Sequence, residues 1–89
     1  MTQINHRPLY RIAEEAREDW SKQTKNGRVP PAADAYLRPM QTLTSISENY
    51  IHDSATSVVM YFLSNAATWR GDVAKRIKAE LKQIVKEAK

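Results

Sequence analysis

Apolar residues are concentrated near the middle of the chain, where the run from Val58 to Leu63 contains no polar side chain. Such a run can form a strand or a helix, and its Val, Tyr and Phe favour a strand. No other segment is rich enough in β-branched and aromatic residues to pair with it, and alanines extend it to helical length at both ends. The sequence therefore predicts a central helix over about residues 54–67, capped by Asp53 or Ser54. Because this helix is apolar on every side, we expect other helices to surround it.

The segment near the N-terminus has apolar residues at helical spacing and predicts a first helix over about residues 7–23. Pro8 suits its first turn, where a missing N–H makes no difference. Arg11 and Glu15 lie four residues apart, which predicts an ion pair on the outer side of this helix. The Asn-Gly pair at 26–27 tolerates positive φ and predicts the turn that follows.

Two more helices are predicted, over about residues 31–43 and 69–88. Pro39 lies inside the pattern of the former, where it removes one backbone hydrogen bond and predicts a kink or a break. Thr68 is the predicted cap of the latter. The apolar stripe of this last helix comprises Val73, Ile77, Leu81, Ile84 and Ala88.

These elements predict an all-α fold, a bundle of about four helices built around the central one. A chain of 89 residues is long enough for a single modest core, so residues 1–89 are expected to form one domain with a short tail at 1–6. The chain has no cysteine, which excludes disulfides and thiolate metal sites and fits a reducing compartment. It shows no signal-peptide pattern and no apolar run of membrane-spanning length, so a cytoplasmic location is expected.

The net charge of +4 is concentrated at the C-terminal end, where residues 70–89 carry seven basic and three acidic side chains. Five lysines of the last predicted helix fall within one stripe opposite its apolar side. This lysine stripe comprises Lys75, Lys78, Lys82, Lys86 and Lys89. It could follow a phosphate backbone, and five engaged lysines would give log K against log salt a slope of about −4 to −5. The alternative is that lysines opposite a core side simply keep the helix soluble.

Other candidate sites are weaker. A DNA-reading helix-turn-helix over residues 63–82 would bury charges such as Asp72 and Glu80, which is costly. Binding of the basic helix to an anionic membrane is disfavoured, because the core needs its apolar side. Glu48, His52 and Asp53 form too small a set to predict a metal site, so no metal or cofactor is expected.

The sequence contains no Gly-rich phosphate loop, no paired carboxylates at catalytic spacing and no cysteine nucleophile, so an enzyme is not predicted. The hypothesis is a non-enzymatic binding module that contacts nucleic acid through Arg70 and the lysine stripe. The alternative is a protein–protein adaptor or homodimer. In that case Trp69, expected to be partly exposed beside Arg70, would lie at the interface.

Overall fold

The fold contains four helices and a short antiparallel strand pair within residues 6–50 and 53–88, the part of the chain that the computed structural model describes. The helices are α1 (Leu9–Ser21), α2 (Pro31–Met40), α3 (Ala55–Ser64) and α4 (Asp72–Glu87). The strands are β1 (Asn49–Tyr50) and β2 (Asp53–Ser54), with Asn49 opposite Ser54 and Tyr50 opposite Asp53. The predicted all-α bundle of about four helices is confirmed.

Local chemistry explains where the helices begin. Pro8 precedes α1, and the first two N–H groups of that helix donate to the carbonyls of Thr44 and Leu43 at 3.0 and 2.8 Å. These bonds satisfy donors that have no partner inside the helix. Ser54 caps α3 as predicted, since its hydroxyl accepts from the Ser57 N–H at 3.1 Å.

The predicted C-terminal end of α3 and the predicted N-terminal end of α4 each differ from the observed end by about three residues. α3 ends at Ser64, where the Ser64 hydroxyl donates to the Met60 carbonyl and the Asn65 amide donates to the Tyr61 carbonyl. α4 begins at Asp72, and Thr68 is not its cap. Gly71 occupies that position with φ of 107° and no side-chain capping bond.

Aromatic rings form the centre of the core. Trp20 and Trp69 are stacked with 5.6 Å between ring centroids and 6° between planes, and Phe62 meets both rings edge-on. Trp20 belongs to the core and is 2% exposed. These three rings join α1, α3 and the segment before α4.

The prediction that α3 would be surrounded on every side is wrong at two positions. α3 packs against α2 and α4, and α1 packs against the same two helices. Val58, Val59 and Phe62 are buried by this arrangement, whereas Met60 and Tyr61 are 52% and 50% exposed. The outer side of α3 is therefore an apolar surface without a covering helix.

Candidate nucleic-acid interface

α4 separates its apolar and basic residues onto different sides. Ala74, Ile77, Leu81 and Ile84 are buried against the other helices. Most of the lysine stripe lies away from this core, and its exposed members are Lys75, Lys82 and Lys86. Lys89, the fifth predicted member, lies outside the described residues.

The carboxylates beside α4 are paired on one flank of the helix. The Arg7 guanidinium donates to both carboxylate oxygens of Glu80 at 2.8 and 3.0 Å, and to Glu15 at 2.8 Å. Arg76 also pairs with Glu15. Glu15 therefore pairs with Arg76 of α4 and with Arg7, two residues before α1, and the ion pair predicted with Arg11 is not formed.

No carboxylate within residues 6–50 and 53–88 lies at salt-bridge distance from the lysines of α4 on the other flank. Arg70, at the N-terminal end of α4, likewise has no ion pair in that part of the chain. We call this set of side chains the cationic face. It comprises Arg70, Lys75, Lys78, Lys82 and Lys86.

Lys78 is not freely exposed as the stripe predicted. At about 100° per residue it lies about 60° round the helix from Lys75, toward the core side. Its ammonium donates to the Trp69 carbonyl at 2.7 Å and lies 5.9 Å from the centroid of the Trp69 ring. Burial lowers the pKa of Lys78, and the charges of Lys82 and Arg70 lower it further. Lys78 therefore lies close enough to Lys82 and Arg70 to feel both charges.

Arg70 is held in place by a contact that the sequence does not indicate. The Gln23 amide, just beyond α1, donates to the Arg70 carbonyl at 2.7 Å and accepts from the Arg70 N–H at 3.4 Å. Gln23 also donates to the Asp19 carboxylate at 3.1 Å. The backbone of Arg70 is thus tied to α1, and its side chain is left exposed.

Trp69 is not the exposed interface residue that was predicted, because its side chain is fully buried. It stacks on Trp20, and its indole N–H donates to Asp19 at 2.9 Å. A large ring with a satisfied N–H is well suited to a small core. Trp69 therefore packs in the core beneath the cationic face, and its buried ring cannot contact a binding partner.

The small metal-site candidate has no support in the described residues. No cluster of three or more His, Cys, Asp or Glu side chains suited to a metal ion occurs among them, and His52 lies outside them. Glu48 instead accepts a hydrogen bond from the Thr44 N–H at 2.9 Å. This bond stabilises the turn that follows α2.

Comparisons of the chain with protein-family models, with curated proteins and with solved structures give no significant match. Among the described residues, no helix has both the length and the apolar character required to cross a membrane. The chemistry open to the cationic face is the binding of several phosphate or carboxylate groups in a line.

Proposed function

We propose that this protein is a non-enzymatic, cytoplasmic binding module that associates with nucleic acid through the cationic face. The observation that carries the proposal is the separation of charge around α4. The nearby carboxylates Glu15 and Glu80 bind Arg7 and Arg76 on one flank, and the lysines opposite have no acidic partner among the described residues. A row of cations without counter-charges releases bound ions when it meets a polyphosphate.

Crowding of like charges adds to the support. The pKa of Lys78 is lowered by burial and by the neighbouring charges of Lys82 and Arg70, so the charge of Lys78 is opposed by both neighbours in the free protein. A phosphate placed among them would relieve that repulsion. The Nζ of Lys78 already donates one hydrogen bond to the Trp69 carbonyl, and an ammonium has two further donors for a phosphate oxygen.

The geometry suits backbone contacts that do not depend on base sequence. Lys75 and Lys86 are eleven residues apart, which is about 16 Å along the helix and about five nucleotides of one DNA strand. The apolar side of α4 lies in the core, whereas Lys75, Lys82 and Lys86 are exposed and available to the ligand. Contacts of this kind position a protein on nucleic acid without reading its sequence.

Fluorescence anisotropy of a labelled duplex, titrated at several salt concentrations, tests the proposal. Five engaged cations, the members of the cationic face, give an expected slope of about −4 to −5 for log K against log salt. The affinity should therefore fall about 500-fold between about 50 and 200 mM salt. Absence of binding at the lowest salt concentration, or binding indifferent to salt, would overturn the proposal.

A matched pair of triple variants separates this face from net charge. In the test variant Lys75, Lys82 and Lys86 become Gln, and the slope should weaken by about 2 to 3. The control variant removes the same charge elsewhere by changing Lys22, Lys25 and Arg28 to Gln, which are all exposed. The control should keep the wild-type slope, and an equal loss in both variants would show that net charge alone attracts the nucleic acid.

The alternative function, a protein–protein adaptor or homodimer, no longer has Trp69 as its interface residue, because that side chain is buried. Its remaining support comes from the exposed side of α3, where Met60 and Tyr61 face outward.

A further inference from the structure

A groove of about 360 Å³ lies between α3 and α4. Its lining consists of Met60, Leu63, Ser64, Lys82, Val85 and Lys86. Leu63 and Val85 are partly buried and pack on the core, so they form a fixed apolar floor. Met60 stands beside them with 52% of its surface exposed.

The exposure of Met60 makes this groove the leading candidate for a partner-binding surface. Elsewhere in the described residues large apolar side chains are covered, and Met60 and Tyr61 are the exceptions. Exposed apolar surface edged by polar groups is typical of interaction sites. Met is unbranched and flexible, which allows it to adjust to the side chain that docks against it.

We propose that this groove binds an acidic amphipathic helix of a partner protein. Lys82 and Lys86 edge the groove one helical turn apart, about 6 Å along α4, with no acidic partner among the described residues. A partner helix would place apolar side chains on Met60, Leu63 and Val85 and two carboxylates, four residues apart, on the lysines. This is the helix-in-groove mode of recognition, with charge fixing the orientation.

Charge also argues against a second copy of this chain as the occupant. A two-fold symmetric dimer presents the same patch from both copies, so the Lys82 and Lys86 pairs would face each other. Like charges placed opposite one another at an interface are unfavourable. A flat lipid surface fits less well than a helix, because the site is a groove, and Tyr61 turns aside toward Tyr36 with 5.2 Å between their ring centroids.

Methionine-methyl NMR on the full chain tests the site directly. The probe is a synthetic helical peptide of 16 residues, the length of α4, with Leu at positions i, i+3 and i+7 and Glu at the flanking positions. Its control is a peptide of the same composition in scrambled order. The Met60 methyl signal should shift and saturate, whereas the Met40 signal should stay, because that side chain is fully buried. Equal shifts with the scrambled peptide would overturn the proposal.

Substitutions then locate the binding energy. Met60→Ser and the pair Lys82→Glu with Lys86→Glu should each weaken peptide binding about fivefold to tenfold. Tyr61→Ser is the matched control, because Tyr61 is equally exposed on α3 and lies outside the groove. Loss of affinity in Tyr61→Ser equal to that in Met60→Ser would contradict the assigned site.

The two other possible occupants of the groove, a second copy of the chain and a lipid surface, are tested with the same Met60 signal. Movement of the Met60 signal on dilution of the protein alone, or on addition of phosphatidylglycerol vesicles but not of the peptide, would overturn the proposal in favour of a second copy or a lipid surface. Failure here is distinguishable from failure of nucleic-acid binding. Lys75→Gln should weaken only nucleic-acid binding, and Met60→Ser should weaken only peptide binding.

Discussion

Replacement of Gly71 by Ala tests the backbone that connects Arg70 to α4. Gly71 has φ of 107° and ψ of 179°, a region that only glycine adopts readily. The nearest atom to an added Cβ is the Gln23 side-chain nitrogen at 3.9 Å, so the substitution meets no collision. In the folded state the substitution therefore acts through backbone strain alone.

The expected magnitude is the difference between two opposing terms. Strain in this region costs about 1–3 kcal/mol, and Ala recovers about 0.4–1 kcal/mol by restricting the unfolded chain. We expect Gly71→Ala to lower the free energy of unfolding by about 1–2 kcal/mol. Each kcal/mol corresponds to a fall of about 4–8 °C in Tm for a domain of this size.

Gly27 supplies the matched control, since its φ of 69° lies in the left-handed helical region and no atom lies within 4 Å of an added Cβ. Asn tolerates that region but not the conformation of Gly71. Urea unfolding can be followed by fluorescence of the buried Trp20 and Trp69. Gly27→Asn should be close to the wild type, whereas Gly71→Asn should be as unstable as Gly71→Ala. Wild-type stability in either Gly71 variant would refute the reasoning.

Two further predictions concern the contacts of α1. Hydrogen bonds with Arg76 and Arg7 hold the pKa of Glu15 below its usual range, so the stability it contributes is present at neutral pH and is lost as the pH falls below about 5. In acid titrations of unfolding free energy, Glu15→Gln should lose less stability over that window than the wild type, and identical curves would contradict the assignment. Trp69→Phe should lower stability by about 2–4 kcal/mol through lost packing and the lost bond to Asp19. A double-mutant cycle with Asp19→Ala measures the bond, and a coupling energy of zero would show that it contributes nothing.

The helices could be predicted from the sequence because each places its apolar residues at a spacing that brings them to the core side. Ile12 and Ala16 of α1 and Ile77 and Leu81 of α4 are all fully buried, as their spacing indicated. Such periodicity is a local property of the chain. Helix ends were less predictable, since they depend on individual side chains such as Asn65 that bond to backbone carbonyls.

The environment of Trp69 could not be predicted from its neighbours in the sequence. Its position beside Arg70 suggested exposure, but its partners are Trp20 and Asp19, about 50 residues earlier in the chain. The support of Arg70 by Gln23 is equally remote in sequence. Contacts of this kind depend on how α1 and α4 pack together, and nothing in the spacing of residues near Trp69 reports that packing.

The cationic face depends on tertiary contacts as much as on the spacing of lysines. α4 itself carries Glu80 and Glu87, which could have neutralised its lysines. Arg7 binds Glu80, and the Nε2 atom of His6 lies at hydrogen-bond distance, 2.7 Å, from the Glu87 carboxylate. Both carboxylates are therefore paired on the flank beside α1. Ion pairs at the protein surface add little to stability in general. Their larger effect is to decide which charges keep no partner. The spacing of the lysines predicted the stripe, but only the packed structure shows that these lysines have no acidic partner among the described residues.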